Sequence, residues 1–502
     1  MEKRSSGVLL HPSSLFNQYP IGDIGPIAAC FVDFLGTSGL LFWQMLPIGP
    51  TGEGNCPYQS MSAFGGNPLL MSPDRLVAQG FLESSDIEHY RQSNEGQVNY
   101  AGTEELKTRL LRRAFENFEN KPQDKRKIDF DAFKKVEKYW LDDFSLFLAI
   151  QEKQGTSNWT LWNQELKTRQ LDAITGVQKD LAHEIRYHEF VQWQFAVQWN
   201  ELKVYCKSKG IQLIGDIPMF VAHQSADVWA HPELFKLDAD GNPSVVAGVP
   251  PDYFSKTGQL WGLPVYRWDV LAQQKYSWWI ERIRIALRRF DLVRLDHFIG
   301  FVRTFEVSAN AKTAEYGQYT AGGGSSFFQA VREALGVLPF IADNLGVVTP
   351  EVTSLMQQFQ IPGTQVLQFE YSTQLKNNLN LSDDHLENSV LYTGTHDNNT
   401  TVGWYEQLPN ELRNSLQKQL GVNASDIDWA MIRKAFGSQA KTVIIPMQDF
   451  LNLGAEARMN FPGVADGNWQ WRLQDGVLNQ DLSEKIKNLN KTNGRLSEGI
   501  SK

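Results

Sequence analysis

Short apolar runs, most separated from the next by a helical stretch, recur along the whole chain. That alternation constrains the fold more than any other feature. The runs are 40–46, 67–71, 211–217, 292–296, 340–344, 364–369, 390–395 and 443–447. Between them, apolar residues recur every three or four positions, most clearly over 184–209, where Ile185, His188, Val191, Phe195, Trp199, Leu202 and Cys206 form one stripe ended by Gly210. Eight strands alternating with helices predict a closed parallel (β/α)8 barrel. A doubly wound open sheet is the competitor, but no dinucleotide fingerprint marks a switch point. The predominantly helical stretch 73–210 then reads as an insertion after the second strand of a single catalytic barrel spanning 1–502.

Within 291–301 the run Leu292, Val293, Leu295 carries Arg294 and Asp296 two positions apart. Alternation along a strand puts both on one face, where the guanidinium lowers the carboxyl pKa. Two readings stay open at this point, a structural ion pair and an ionised nucleophile. In a barrel, catalytic groups gather at the carboxyl ends of the strands. Asp216, Asp296, Asp343 and Asp397 all sit at such ends, on the third, fourth, fifth and seventh predicted strands. Four acids at one mouth need compensation. An oxygen-rich set suits Mg²⁺ or Ca²⁺, but no phosphate-cradling element accompanies it. A retaining glycosidase pair, one carboxylate attacking and one protonated partner, fits better. Arg294 and His396 could then bond sugar hydroxyls or the nucleophile.

Composition excludes other classes. A net charge of −9 gives no basic face for nucleic acid or an anionic membrane. Three widely spaced cysteines supply neither a zinc spacing nor a disulfide framework. His183-Glu184 and His188 miss the H-E-x-x-H zinc pattern by one residue. Residues 1–10 lack the apolar run of a signal peptide, and no run approaches the ~20 residues of a membrane span, so a cytoplasmic protein is expected. The Gly- and Pro-rich loop 49–60 is long enough to be functional. The punctuated aromatic stretch 245–268 reads as a loop, either a lid over the site or packed surface. Arg282, Arg284, Arg288 and Arg289, on a helix over 278–289, read as its solvated face.

Motifs running almost end to end resemble the 4-α-glucanotransferase (amylomaltase, disproportionating enzyme) family of the α-amylase clan. They include His11-Pro-Ser-Ser-Leu15, Trp43-Gln-Met-Leu-Pro-Ile-Gly-Pro-Thr-Gly52, Pro57-Tyr-Gln-Ser60 and Gly215-Asp-Ile-Pro218. The match continues through Ala226–Phe235, Gly248–Ser255, Gly258-Gln-Leu-Trp-Gly262, Tyr392–Asn398 and Glu456-Ala-Arg-Met-Asn460. The resemblance implies transfer of α-1,4-glucan segments among maltooligosaccharides, starch or glycogen, with no metal or organic cofactor. It implies Asp296 as nucleophile, Asp343 at the acid/base position and Asp397 as transition-state stabiliser. Tyr58, Asp216, Trp261, Arg294, His396 and Asn460 would contact the glucan, and Pro251, Asp252 and Tyr253 would belong to a loop closing over it.

Three positions depart from the family pattern. Where Ile-Ala-Glu-Asp-Leu-Gly is usual, this chain has Ile341-Ala-Asp-Asn-Leu-Gly346, so the acid/base carboxyl is one methylene shorter and its neighbour is neutral. Glu53 replaces a tyrosine associated with glucan contact away from the active site, and Leu263 replaces an asparagine. The shortened acid leaves a glucan-binding pseudoenzyme or a weak α-glucan hydrolase as the alternative.

Overall fold

Strands buried on both faces must be apolar nearly throughout, and the residues at the centre of this chain's main sheet meet that demand. The computed structural model describes residues 3–91, 96–121, 123–251, 255–377, 379 and 385–496. In chain order its strands are β1 (Ser5–Leu9), β2 (Phe42–Gln44), β3 (Gln212–Ile217), β4 (Val245–Val249), β5 (Gln259–Pro264) and β6 (Leu292–Leu295). They continue with β7 (Arg303–Ser308), β8 (Gln318–Ala321), β9 (Phe340–Ala342), β10 (Gly363–Val366), β11 (Ser389–Tyr392) and β12 (Thr442–Pro446). Eight of them close a barrel in the order β1-β2-β3-β6-β9-β10-β11-β12, every pairing parallel. Val293, Leu295, Ile341, Val390, Leu391, Val443, Ile444 and Ile445 are wholly buried in it. The (β/α)8 expectation holds.

Two strand expectations do not. The run 67–71 is a short 3-10 turn, Pro68–Leu70, capped by the Asn67 side chain accepting from Leu69 N at 3.0 Å. Pro68 has no N–H for a ladder, and its ring favours the first position of a helical turn. The first barrel strand is instead β1, whose Ser-Ser-Gly start carries little apolar signal. A Cβ on Gly7 would lie 2.5 Å from Phe42 Cβ and 2.7 Å from Ile444 Cδ1, so β1 is kept small to close the barrel. One strand added and one removed leave the count unchanged. Asp216 therefore still lies at the end of the third barrel strand, and Asp296, Asp343 and Asp397 still follow the fourth, fifth and seventh.

Between β2 and β3 the longest helices are Tyr100–Glu119, Arg126–Gln154 and Ala182–Ser208. Asn99 caps the first, accepting from Gly102 N at 2.9 Å. Gly155, at φ +69°, stops the second in the left-handed conformation glycine tolerates. A second sheet, antiparallel in the order β5-β4-β7-β8, is inserted around β6. The stretch 245–268, expected as a loop, thus supplies two strands, and aromatic and β-branched residues there serve as strand formers. Pro251 is exposed beyond β4. Asp252 and Tyr253 lie outside the described residues. The aromatic richness is mainly core: Trp43, Trp159, Trp229, Trp278 and Trp279 are fully buried. Among the described residues no helix is long and apolar enough to cross a membrane.

Candidate active site

Register brings the first two charges together. Asp216 on β3 is the direct pairing partner of Arg294 on β6, so both side chains leave the same face near the strand ends. Arg294 is buried, and its guanidinium is shared three ways. Nη1 donates to Asp216 Oδ2 at 2.6 Å and to Asp296 Oδ1 at 3.0 Å, while Nη2 donates to Asp343 Oδ2 at 2.7 Å. The main chain fixes this geometry. Asp296 N donates to Ile217 O at 3.0 Å, Asp343 N to Leu295 O at 3.1 Å, and Phe298 N to Asp343 O at 2.8 Å. His297, at φ +46°, bends the chain directly after Asp296, a strained conformation of the kind held at functional sites. The bend aims His297 N at Asp343 Oδ2, 3.2 Å away.

Asp397 forms the other side. Its Oδ1 accepts from Asn460 Nδ2 at 2.6 Å and lies 3.5 Å from His396 Nε2, while Arg458 donates to its backbone oxygen at 2.7 Å. Its carboxylate is about half exposed, as a group meeting a ligand must be. The loop 49–60 reaches across with Tyr58, whose hydroxyl donates to Asp216 Oδ2 at 2.8 Å. The Tyr58 ring stacks on His396 at 5.2 Å and leans on Trp469 at 5.9 Å. Trp261 on β5 stands edge-on to His297 at 4.8 Å. Of the residues singled out in the sequence, Asp216, Arg294, Asp296, Asp343, Asp397, Tyr58, His396 and Asn460 are linked in this way. Trp261 joins them through His297.

The electrostatics revise one expectation. A single guanidinium divided among three carboxyls does not hold Asp296 low. Burial pushes its carboxyl well above the usual range, Asp216, Asp343 and Asp397 add to that push, and Arg294 opposes it. Burial also raises Asp216 against the pull of Arg294 and His396. The cluster therefore tends to retain a proton. Burial lowers His396, with Asp397 opposing, and brings His297 down to about 4, so both rings are neutral near pH 7. Asn344 stands outside this group: its Oδ1 accepts from Thr364 N at 2.8 Å, tying β9 to β10.

Sequence reasoning passed over His297, Arg458 and Trp469. The first two lay inside stretches it had singled out, Asp291–Phe301 and Glu456–Asn460. Trp469 left no local signal; it reaches Tyr58 and His396 only through tertiary packing.

The 4-alpha-glucanotransferase family description matches residues 10–479. The 4-alpha-glucanotransferase of Thermus thermophilus is 41% identical over 501 residues, covering 98% of this chain and 99% of the relative. That of Synechocystis is 42% identical over 498 residues, covering 99% of each. Among solved structures, the amylomaltase from Streptococcus agalactiae in complex with acarbose superposes with a TM-score of 0.94 at 36% identity, covering 98% of this chain and all of that one. With the barrel, the carboxylate mouth and matches of this length in agreement, the chain belongs to the 4-alpha-glucanotransferase family, the amylomaltases, transferases acting on α-1,4-glucans.

Proposed function

We propose that this chain passes α-1,4-glucan segments between maltooligosaccharides by a retaining double displacement centred on Asp296. One observation carries the reading: the Arg294 guanidinium binds Asp296 and Asp343 together at the barrel mouth. In the first step an Asp296 oxygen attacks the anomeric carbon and the glycosidic C–O bond breaks. The leaving 4-oxygen takes the proton of the Asp343 carboxylic acid. In the second step the 4-hydroxyl of an acceptor glucan attacks the same carbon, its proton passes to Asp343, and the ester to Asp296 breaks. The configuration is inverted twice and thus retained. Asp397, oriented by Asn460, accepts hydrogen bonds from sugar hydroxyls and faces the positive charge that develops at the anomeric carbon.

Asp343 enters this cycle from a poor starting position. Its Oδ2 accepts from Arg294 Nη2 and from His297 N, so this oxygen is already engaged on the protein side. Sugar entering the site has to loosen the Arg294 contact before that oxygen can reach the glycosidic oxygen. Tyr58 and Trp261 offer ring faces for the glucan. Starch and glycogen supply longer donors of the same linkage. Three unpaired thiols, Cys30, Cys56 and Cys206, suit a reducing cytoplasm.

Maltotriose alone is the test. Transfer yields glucose and a ladder of longer maltooligosaccharides; glucose and maltose without longer products would make the chain a hydrolase. Asp296→Asn abolishes both. Saturable binding with no turnover in the unaltered chain would make it a glucan binder.

A further inference from the structure

Arg282 departs from the solvated helix face that its sequence predicts. It is 4% exposed, and its guanidinium lies 4.8 Å from the Trp279 ring and 5.5 Å from the Trp278 ring. Its side chain makes one hydrogen bond among the described residues, a long one of 3.5 Å to Tyr266 Oη. A buried cation with so few donors satisfied is costly unless something else receives them.

Opposite it is the converse. Asp216 Oδ2 is engaged by Tyr58 and Arg294, but Oδ1 is buried with no partner among the described residues. Asp216 and Arg282 line one cavity of about 50 Å³, together with Ser60, Ser62, Arg289 and Phe290. The lining selects the occupant. A carboxylate repels an anion, and two guanidiniums repel a cation. A neutral molecule that both donates and accepts fits both, and the volume gives room for about three waters.

We propose that Arg282 is a positioning residue of the active site: it reaches Asp216 through water held in this cavity and gives the carboxylate cluster a second positive charge. Water donates to Asp216 Oδ1 and accepts from the Arg282 guanidinium. The bridge keeps Asp216 turned toward Arg294 and relieves the demand that three acids place on Arg294 alone. The charged and titratable groups acting on Arg282 are Tyr266 following β5, Asp227 on the helix Ala226–Ala230, and Asp296 beyond β6. Asp216 and Arg289 line the same cavity. Arg294, His396, Tyr58 and Asp343 act on Asp216 from the other side.

The inference rests on the double-displacement reading, in which ionisation of Asp296 sets the acidic limb of kcat/KM. Maltotriose disproportionation is followed against pH for the unaltered enzyme, Arg282→Met and Arg282→Lys, with melting temperatures alongside. Arg282→Met moves the acidic limb up by about one pH unit, the size of a partly screened charge at this range. Arg282→Lys keeps the limb near its original place. A limb that stays put in Arg282→Met while activity or stability falls makes Arg282 merely structural and overturns the proposal. A second measurement is independent of whether either variant folds. A high-resolution crystal structure of the unaltered enzyme should show ordered water within hydrogen-bond distance of both Asp216 Oδ1 and Arg282, and a dry cavity overturns the bridge. Absence of transfer by the unaltered enzyme would instead sink the functional reading.

Discussion

Asp343 bonds to a guanidinium and a backbone N–H, so its carboxyl is held back against β6 by the groups that position it. One more methylene would carry the acid forward by roughly the ångström whose loss can cost ~10²-fold in rate. Asp343→Glu should therefore raise kcat on maltotriose, by up to about 10²-fold, with little change in KM. Asp343→Asn should lower it by about 10²–10⁴-fold, the usual worth of a general acid. Equal turnover in all three would remove Asp343 from the chemistry. The candidate site was legible because its residues lie in short motifs whose chemistry is local: Arg294 and Asp296 two apart, His396 beside Asp397. The charge state was not legible. That Arg294 serves three acids at once depends on strand pairing, which no spacing along the chain reveals.

At the scale of elements, the strands were legible where apolar residues fill both faces, as in β6, β11 and β12. They were illegible where closure of the barrel demands small residues, as in β1. Gly215 on β3 shows how tight that closure is. A Cβ there would come within 2.2 Å of the Phe290 ring, which itself packs on Trp199 at 5.3 Å. Gly215→Ala forces the ring or the strand to move, and overpacking of this kind typically costs about 1–3 kcal/mol. The variant should lose about that much in urea unfolding, and it should lose activity because Asp216 is the next residue. Phe290→Leu in the same chain should return part of both, since the two side chains compete for one space. A double variant no better than the single would place the strain elsewhere.

Across the whole molecule, the first and last barrel strands are held together at the seam by a residue from far along the chain. Arg495, fully buried, donates from Nη1 to Ser5 O at 3.1 Å and to Lys441 O at 3.2 Å, clasping β1 to the residue before β12. Just past β1, His11 is 7% exposed, its Nδ1 has no partner among the described residues, and burial with the nearby His396 brings its pKa down to about 3. The unfolded chain gives this histidine its ordinary value near 6.5. Between those limits the unfolded state binds a proton that the native state refuses, so stability rises with pH across that window and falls as pH drops below ~6.5. At pH 5 the deficit from His11 alone is about 2 kcal/mol, and His297, at about 4, adds in the same direction. Urea unfolding should thus show a markedly lower midpoint at pH 5 than at pH 7. His11→Gln, which cannot be protonated, should recover about 2 kcal/mol of that difference whatever it does to stability at pH 7. An unchanged difference in the variant would mean that the ring meets solvent, and that the seam beside it is open in the native protein.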